Sequence, residues 1–213
     1  MAVKLVYFVR HGESDQNAEG IRQGPKGFLS EKGVLQVIDT AKRFPTKRGK
    51  PQIIISSPYE RTRETAKIIA KELGLGLEYS DFLMERRNPS EIIGHSGEEK
   101  GVKSIIDRID KSYHDDNLRY SDEENFIDLK ERAKKLLSYI TKREEKRIIM
   151  VTHHIFLKMV VAYILYGEEL TASLYNTLSY FNPIDNAGMT ICQYRTSWFG
   201  KERWKVLTWN DQI

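Results

Sequence analysis

The 213 residues carry 34 lysines and arginines against 30 aspartates and glutamates, a formal net charge of +4, with 40% hydrophobic and 30% charged residues. That balance excludes a disordered chain, and the cationic excess is too small to argue for nucleic-acid binding, although it suits an anionic small substrate. The single cysteine, Cys192, excludes an intramolecular disulfide and any multi-cysteine metal site. The length fits one domain over residues 1–213. The first strand starts almost at once, leaving no room for a signal peptide. The most apolar stretch, 148–165, is broken by His153, His154 and Lys158, so it does not read as a membrane span. The expected location is the cytoplasm.

Residues 4–9 form a β-branched and aromatic run that reads as a buried strand of a parallel sheet. It ends on Arg10-His11-Gly12-Glu13-Ser14, where an open α/β sheet places its ligands. Arg10 offers a fork of donors suited to phosphate oxygens, His11 an imidazole able to attack phosphorus, and Gly12 a sharp turn close to a bound anion. Residues 15–29, with Gly20, Gly24, Pro25 and Gly27, read as a loop. Ser30 caps a helix running to about Phe44, with Leu35, Ile38 and Ala41 as its apolar stripe.

A second strand is predicted over 52–56. Ser57 then reads as an N-cap with Pro58 at the first helical position, and the helix runs to Leu73, where Gly74 stops it. Residues 77–79 read as a short strand. The stretch 81–120 is the least regular, with short helices near 91–93 and 98–113, and reads as an excursion that forms a lid over the site. Helical spacing at Phe126, Leu129, Ala133, Leu136, Leu137 and Ile140 predicts a helix over 122–143, acidic at its start and basic at its end.

The third strong strand, 147–151, leads into Thr152-His153-His154. Residues 155–166 are apolar nearly all round and predict a buried helix, with a shorter one near 169–177. Alternating runs at 189–194 and 204–209, joined by 197–201, predict a hairpin at the sheet edge. The expected fold class is therefore α/β: a mostly parallel sheet with helices on both faces, a lid insertion and a C-terminal edge hairpin.

Three strand ends carry related chemistry: Arg10 and His11 at the first, Arg61 in the helix after the second, His153 at the third. Parallel strands bring such ends to one edge, beside helix N-termini whose N–H groups favour anions. Arg10-His11-Gly12-Glu13-Ser14, Ser56-Ser57-Pro58-Tyr59-Glu60-Arg61-Thr62 and Val151-Thr152-His153 resemble the signature stretches of the histidine phosphatase superfamily, which includes the phosphoglycerate mutases. Leu29-Ser30-Glu31-Lys32-Gly33 and Leu83-Met84-Glu85 resemble two further segments of that superfamily, in the same order.

The resemblance implies a phosphoglycerate mutase-like fold and phosphomonoester hydrolysis through a phosphohistidine, with no cofactor and no metal. His11 would be the nucleophile. Arg10, Arg61 and His153 would hold the phosphoryl oxygens, and Glu85 would act as general acid and then base. Asn17 matches a phosphate-side position of the mutases. The implied partner is an anionic phosphorylated small molecule, a phosphoprotein being the other option, with no nucleic acid and no membrane.

Bland readings stand beside these. His11 could be a turn histidine, Arg61 a solvated helix cation beside Arg63, and His153 a cap or core residue. A carboxylate before Arg86-Arg87 is also suited to pairing with them, and Glu13, Glu91, Glu98 and Glu99 are rivals to Glu85 as the acid. His95 and His114 sit among polar residues and read as exposed. The superfamily usually has glycine where this chain has His154, and the residues after Glu85-Arg86 do not match the mutases. Mutase-type phosphoryl transfer and a catalytically weak phospho-ligand-binding relative are the competing functions.

Overall fold

In a computed structural model, which describes residues 3–112 and 115–212, six strands form one sheet in the order β3-β2-β4-β1-β5-β6. They are β1 (Val3–Arg10), β2 (Ile53–Ser56), β3 (Leu77–Tyr79), β4 (Arg147–Thr152), β5 (Met189–Thr196) and β6 (Glu202–Asp211). The first four are mutually parallel, and β5 and β6 continue antiparallel from β1. The chain is thus an α/β fold built on a mixed, mostly parallel sheet.

The continuous apolar runs of the central strands exist because both faces are covered. Val6, Phe8, Ile55, Ile148 and Met150 point into one core with α5 (Phe126–Lys142), α6 (His154–Tyr166) and α7 (Ala172–Phe181). Tyr7, Val9, Ile54, Ile149 and Val151 point into the other, with α2 (Glu31–Lys42) and α3 (Glu60–Leu73). One-residue alternation along each strand thus divides its side chains between two cores. A one-turn helix α1 (Asp15–Ala18) follows β1, and α4 (Lys100–Ser112) lies within the excursion. No helix among the described residues is long and apolar enough to cross a membrane.

Several expectations need correction. Leu35 is 63% exposed. The buried stripe of α2 is Gly33, Val37, Thr40 and Ala41, and position 35 lies two residues from both Gly33 and Val37, on the opposite face of a 3.6-residue turn. Ser57 does not cap α3, which starts at Glu60 after Tyr59; its hydroxyl accepts from Tyr59 N at 3.3 Å, short of the helix, and lies 2.9 Å from a histidine ring. Helix α5 starts four residues late, capped by Asn125 in a reciprocal box with Asp128. Asp122 and Glu124 instead tie down the excursion, receiving the backbone N–H groups of Ser90 and Arg87. Thr171 caps α7 and shifts it to later residues than expected.

The edge hairpin forms as β5 and β6, but the alternation in β6 is interrupted. Ile191 pairs with Thr208 and Cys192 with Val206, so Leu207 is an extra residue. It is exposed, and beyond it the inward parity switches to Trp209. His95 is exposed, and His114 lies outside the described residues.

Candidate active site

Strand β1 delivers Arg10 and His11 to the carboxyl edge of the sheet. The turn after it passes very close to α2: a Cβ on Gly12 would lie 2.5 Å from the Gly33 carbonyl oxygen, and one on Gly33 would lie 1.9 Å from that of Glu13. Only glycine at both positions permits that approach. The His11 carbonyl accepts from Ala187 N at 3.1 Å and from Asn186 Nδ2 at 3.2 Å, which fixes the turn from behind.

The His11 ring is 3% exposed. Its Nδ1 lies 2.7 Å from the Gly12 carbonyl oxygen, an acceptor, so the proton sits on Nδ1 and Nε2 is the acceptor nitrogen. Arg61 Nε donates towards that Nε2 at 3.3 Å, and Arg61 Nη1 donates to Gly24 O at 2.8 Å. Burial first, then Arg61 and Arg10, hold His11 well below the usual imidazole range, so it is neutral at pH 7. Burial lowers Arg61 to about 10, which leaves it a cation at neutral pH. Arg10 Nη1 donates to Ile184 O at 2.6 Å, while its buried Nε has no hydrogen-bond partner.

His153 is completely buried beneath His11, the ring centroids 5.2 Å apart, edge to face. Its Nε2 lies 2.9 Å from Ser57 Oγ, and the ring of Tyr59 packs on it at 5.1 Å. Its Nδ1 is buried without a partner. Burial, Arg61 and His11 lower His153 well below the usual range. His154 forms part of the cleft wall rather than entering the core. Its Nδ1 donates to Ile184 O at 3.0 Å, so it shares with Arg10 the carbonyl that positions that arginine. Burial and Arg10 push it down to about 4.

Glu85 accepts three backbone N–H groups: Arg86 N at 2.9 Å and Phe156 N at 3.0 Å on Oε1, and Ile155 N at 3.2 Å on Oε2. It therefore sits on the N-terminus of α6, where a carboxylate is favoured. Arg132 of α5 holds the backbone that carries it. Its Nη1 donates to Met84 O at 2.6 Å and Phe82 O at 3.2 Å, its guanidinium lies over Phe156 at 3.9 Å, and Glu124 braces it at 2.7 Å. Asn17 closes a capping box with Ser14, its Oδ1 accepting from the Ser14 hydroxyl at 3.0 Å.

Five of the six residues singled out from sequence, Arg10, His11, Asn17, Arg61 and Glu85, line one cleft of about 250 Å³. His153 lies beneath the cleft rather than in its wall. Of the rival carboxylates, Glu13 pairs with Lys32 at 2.8 Å beside a different cavity, and Glu91, Glu98 and Glu99 are exposed. Arg63 stacks on Tyr79 at 4.5 Å, away from the cleft. Sequence reasoning missed Ser57, Tyr59, Arg22, Gln23 and Asn88. Ser57 had one available signal, since it too stands at a strand end. No group of three or more histidine, cysteine, aspartate or glutamate side chains with metal-site geometry occurs among the described residues.

The three depressed histidines bear on stability. Below the ordinary value of 6.5 the unfolded chain binds protons that folded His11, His153 and His154 refuse, so stability falls as pH drops through 6.5. Each contributes a slope of about 1.4 kcal/mol per pH unit within its window. The denaturation midpoint is expected to be lower at pH 5.5 than at pH 7.5, and His154→Gln is expected to reduce that difference. Equal midpoints at the two pH values would remove the picture of neutral buried imidazoles.

A family profile described as the histidine phosphatase superfamily (branch 1) matches residues 6–212. A relative named probable phosphoglycerate mutase GpmB, from Photorhabdus laumondii, is 39% identical over 110 residues, 48% of this chain and 49% of the relative. The match to that curated relative thus spans about half its length. The structure of a mycobacterial glucosyl-3-phosphoglycerate phosphatase complexed with VO3 superposes with a TM-score of 0.77, at 21% identity, covering 98% of this chain and 100% of that one. A phosphoserine phosphatase mutant from Entamoeba histolytica, complexed with phosphoserine, superposes with a TM-score of 0.75, at 22% identity, covering 97% and 96%.

Proposed function

The chain belongs to the histidine phosphatase superfamily (branch 1), and from that footing we propose that it is a metal-independent phosphatase hydrolysing small phosphomonoesters through a phosphohistidine on His11. The observation that carries this reading is the neutral His11 ring. Its proton is tied to the Gly12 carbonyl, and its Nε2, which accepts from Arg61 Nε, is the nitrogen available to phosphorus in a cleft that Arg10 and Arg61 also line.

In the first step His11 Nε2 forms a bond to phosphorus as the bond to the ester oxygen breaks, and Glu85, protonated in the substrate complex, gives that proton to the departing alkoxide and is left as the carboxylate. Phosphoryl transfer depends on positioning and positive charge more than on covalent help. Arg10 and Arg61 supply that charge, with His153 supporting His11 from below. In the second step Glu85 takes a proton from water, the water oxygen attacks phosphorus, and the P–N bond breaks to release phosphate. The chain forms one domain in this reading, and the excursion over 81–120, which carries Glu85 and Asn88, covers the cleft as a lid.

Hydrolysis is favoured over mutase-type transfer because the residues after Glu85-Arg86, namely Arg87-Asn88-Pro89, depart from the mutase pattern. The test is phosphate release from a set of phosphorylated metabolites in metal-free buffer. Chelator is expected to leave the rate unchanged, because arginine and imidazole supply the charge a metal would bring, and vanadate is expected to inhibit. Loss of activity on chelation, restored by a divalent ion, would overturn metal independence. Interconversion of phosphoglycerate isomers without phosphate release would replace the hydrolase by a mutase.

A further inference from the structure

The net charge of +4 is spread unevenly, and the C-terminal hairpin gathers part of it. Cys192, Trp204 and Val206 pack into a core, so alternation turns Arg195, Arg203 and Lys205 to the other face of the hairpin. On that face Arg203 stands directly opposite Arg195, and Lys205 opposite Gln193. Like charges set opposite one another weaken a ladder. Glu202 lies between them in sequence but faces the other way and engages the Tyr194 hydroxyl. Among the described residues no carboxylate lies within ion-pair distance of Arg195, Lys201, Arg203 or Lys205. The basic surface continues along the same edge of the sheet, where Val3 pairs with Arg195 and Leu5 with Arg147, and where Arg147 Nε donates to Lys50 O at 2.7 Å. Of the acids there, Glu78 and Glu145 are held by Arg143 at 2.8 and 2.6 Å, and Glu144 is exposed.

The tip of the hairpin adds a second observation. Gly200 N donates to Ser197 O at 3.1 Å and Ser197 N donates to Lys201 O at 2.8 Å, with Gly200 at a φ of 75°. Trp198 and Phe199 therefore occupy the two corners of a tight turn, where they are 80% and 94% exposed. Turn corners favour glycine, proline, asparagine, aspartate and serine. Two large aromatic side chains in that place bury almost nothing in the folded chain, so nothing in its own packing accounts for them.

We propose that this hairpin docks the protein on an anionic membrane surface, Trp198 and Phe199 entering the headgroup layer while Arg195, Lys201, Arg203 and Lys205 meet the lipid phosphates. Tryptophan is favoured at the membrane–water interface, and clustered lysine and arginine are drawn to anionic lipid. Cations along an edge strand work against pairing with a second copy of the chain. The aromatics stand on a projecting turn, not on a sheet face where bases stack between cations, which sets a bilayer above a nucleic acid. The tip extends from the start of β1, whereas Arg10 and His11 lie at its other end, roughly 20 Å along the strand. A docked hairpin therefore leaves the cleft open to solvent.

The test is sedimentation of the full chain with vesicles of phosphatidylcholine alone or of an equal mixture with phosphatidylglycerol. Binding to the anionic vesicles is expected to be about tenfold or more tighter, and to weaken as salt is raised. Trp198→Ser together with Phe199→Ser is expected to weaken it by about tenfold or more, through the loss of buried apolar surface. Arg195→Gln together with Arg203→Gln is expected to weaken it by a similar factor. That pair of substitutions removes the cross-strand repulsion, so the denaturation midpoint should not fall, which separates lost docking from lost folding. Brominated lipid is expected to quench tryptophan fluorescence in the native chain and not in Trp198→Phe, which keeps an aromatic anchor without the reporter. No sedimentation with either vesicle, equal sedimentation with both, or binding that survives the tip substitutions overturns the proposal. Binding of a single-stranded RNA that the same substitutions abolish, without binding to vesicles, overturns it in favour of a nucleic-acid partner.

Discussion

His11→Ala is expected to abolish turnover, by on the order of 10⁴-fold or more, the scale on which removal of a covalent nucleophile acts. The imidazole lines the cleft with Nδ1 anchored to Gly12 O, which leaves Nε2 as the nitrogen with a lone pair for phosphorus. Alanine leaves Arg61 Nε without its acceptor and opens space under the site, so a modest loss of stability accompanies the loss of activity. The strand itself is held by the His11 backbone N–H to Thr152 O and by the pairing of β1 with β4 and β5, so the folded circular-dichroism spectrum should persist. Brief incubation with labelled substrate and quenching in alkali should trap an acid-labile label on the native protein and none on the variant. Appreciable activity in His11→Ala, or label retained by it, would sink the assignment.

Glu85→Gln is expected to slow alkyl phosphates by roughly a hundredfold or more, within the range of general acid–base catalysis. An alkyl ester leaves as a strongly basic alkoxide that needs a proton, whereas an activated nitrophenolate leaves nearly unaided. The aryl ester should therefore lose far less at the phosphorylation step. Both carboxylate oxygens accept backbone N–H groups, so the amide of glutamine turns a donor towards a donor at one of them and weakens the start of α6. Comparing two esters in one preparation cancels that effect, because both are turned over by the same folded fraction. Single-turnover measurement separates phosphorylation from the later attack of water, which also needs Glu85. Arg61→Ala provides the contrast and should slow both esters alike, since both pass through the same charged phosphoryl group. Equal slowing of the two esters by Glu85→Gln in the burst phase would place the acid elsewhere, on another carboxylate of the excursion.

Much of this site is legible in the amino-acid sequence. The runs at 4–9, 52–56 and 147–151 are apolar without alternation, which only a sheet covered on both faces requires, and each ends on residues with phosphate chemistry. Parallel strands place those ends at one edge, so the meeting of Arg10, His11 and Arg61 in one cleft follows from the pattern. Gly74 stops α3 at a φ of 59°, as a glycine at a helix end suggests. These features are carried by neighbours in sequence, through side-chain period, caps and turns, and local chemistry reads them.

Tertiary structure decided what no local pattern contains. Ser57 looks like a helix cap in sequence, and only the fold brings His153, 96 residues away, to within 2.9 Å of its hydroxyl. Asp122 and Glu124 look like the acidic start of a helix until Ser90 and Arg87 claim them. Glu85 is set by the N-terminus of α6, 70 and 71 residues on, and by Arg132 holding its backbone from another helix. Arg22, Gln23 and Asn88 show no signal in sequence, because their place in the cleft wall is set by the fold. A polar side chain pairs with whatever the fold brings within about 3 Å, and that neighbour is a property of packing rather than of sequence spacing.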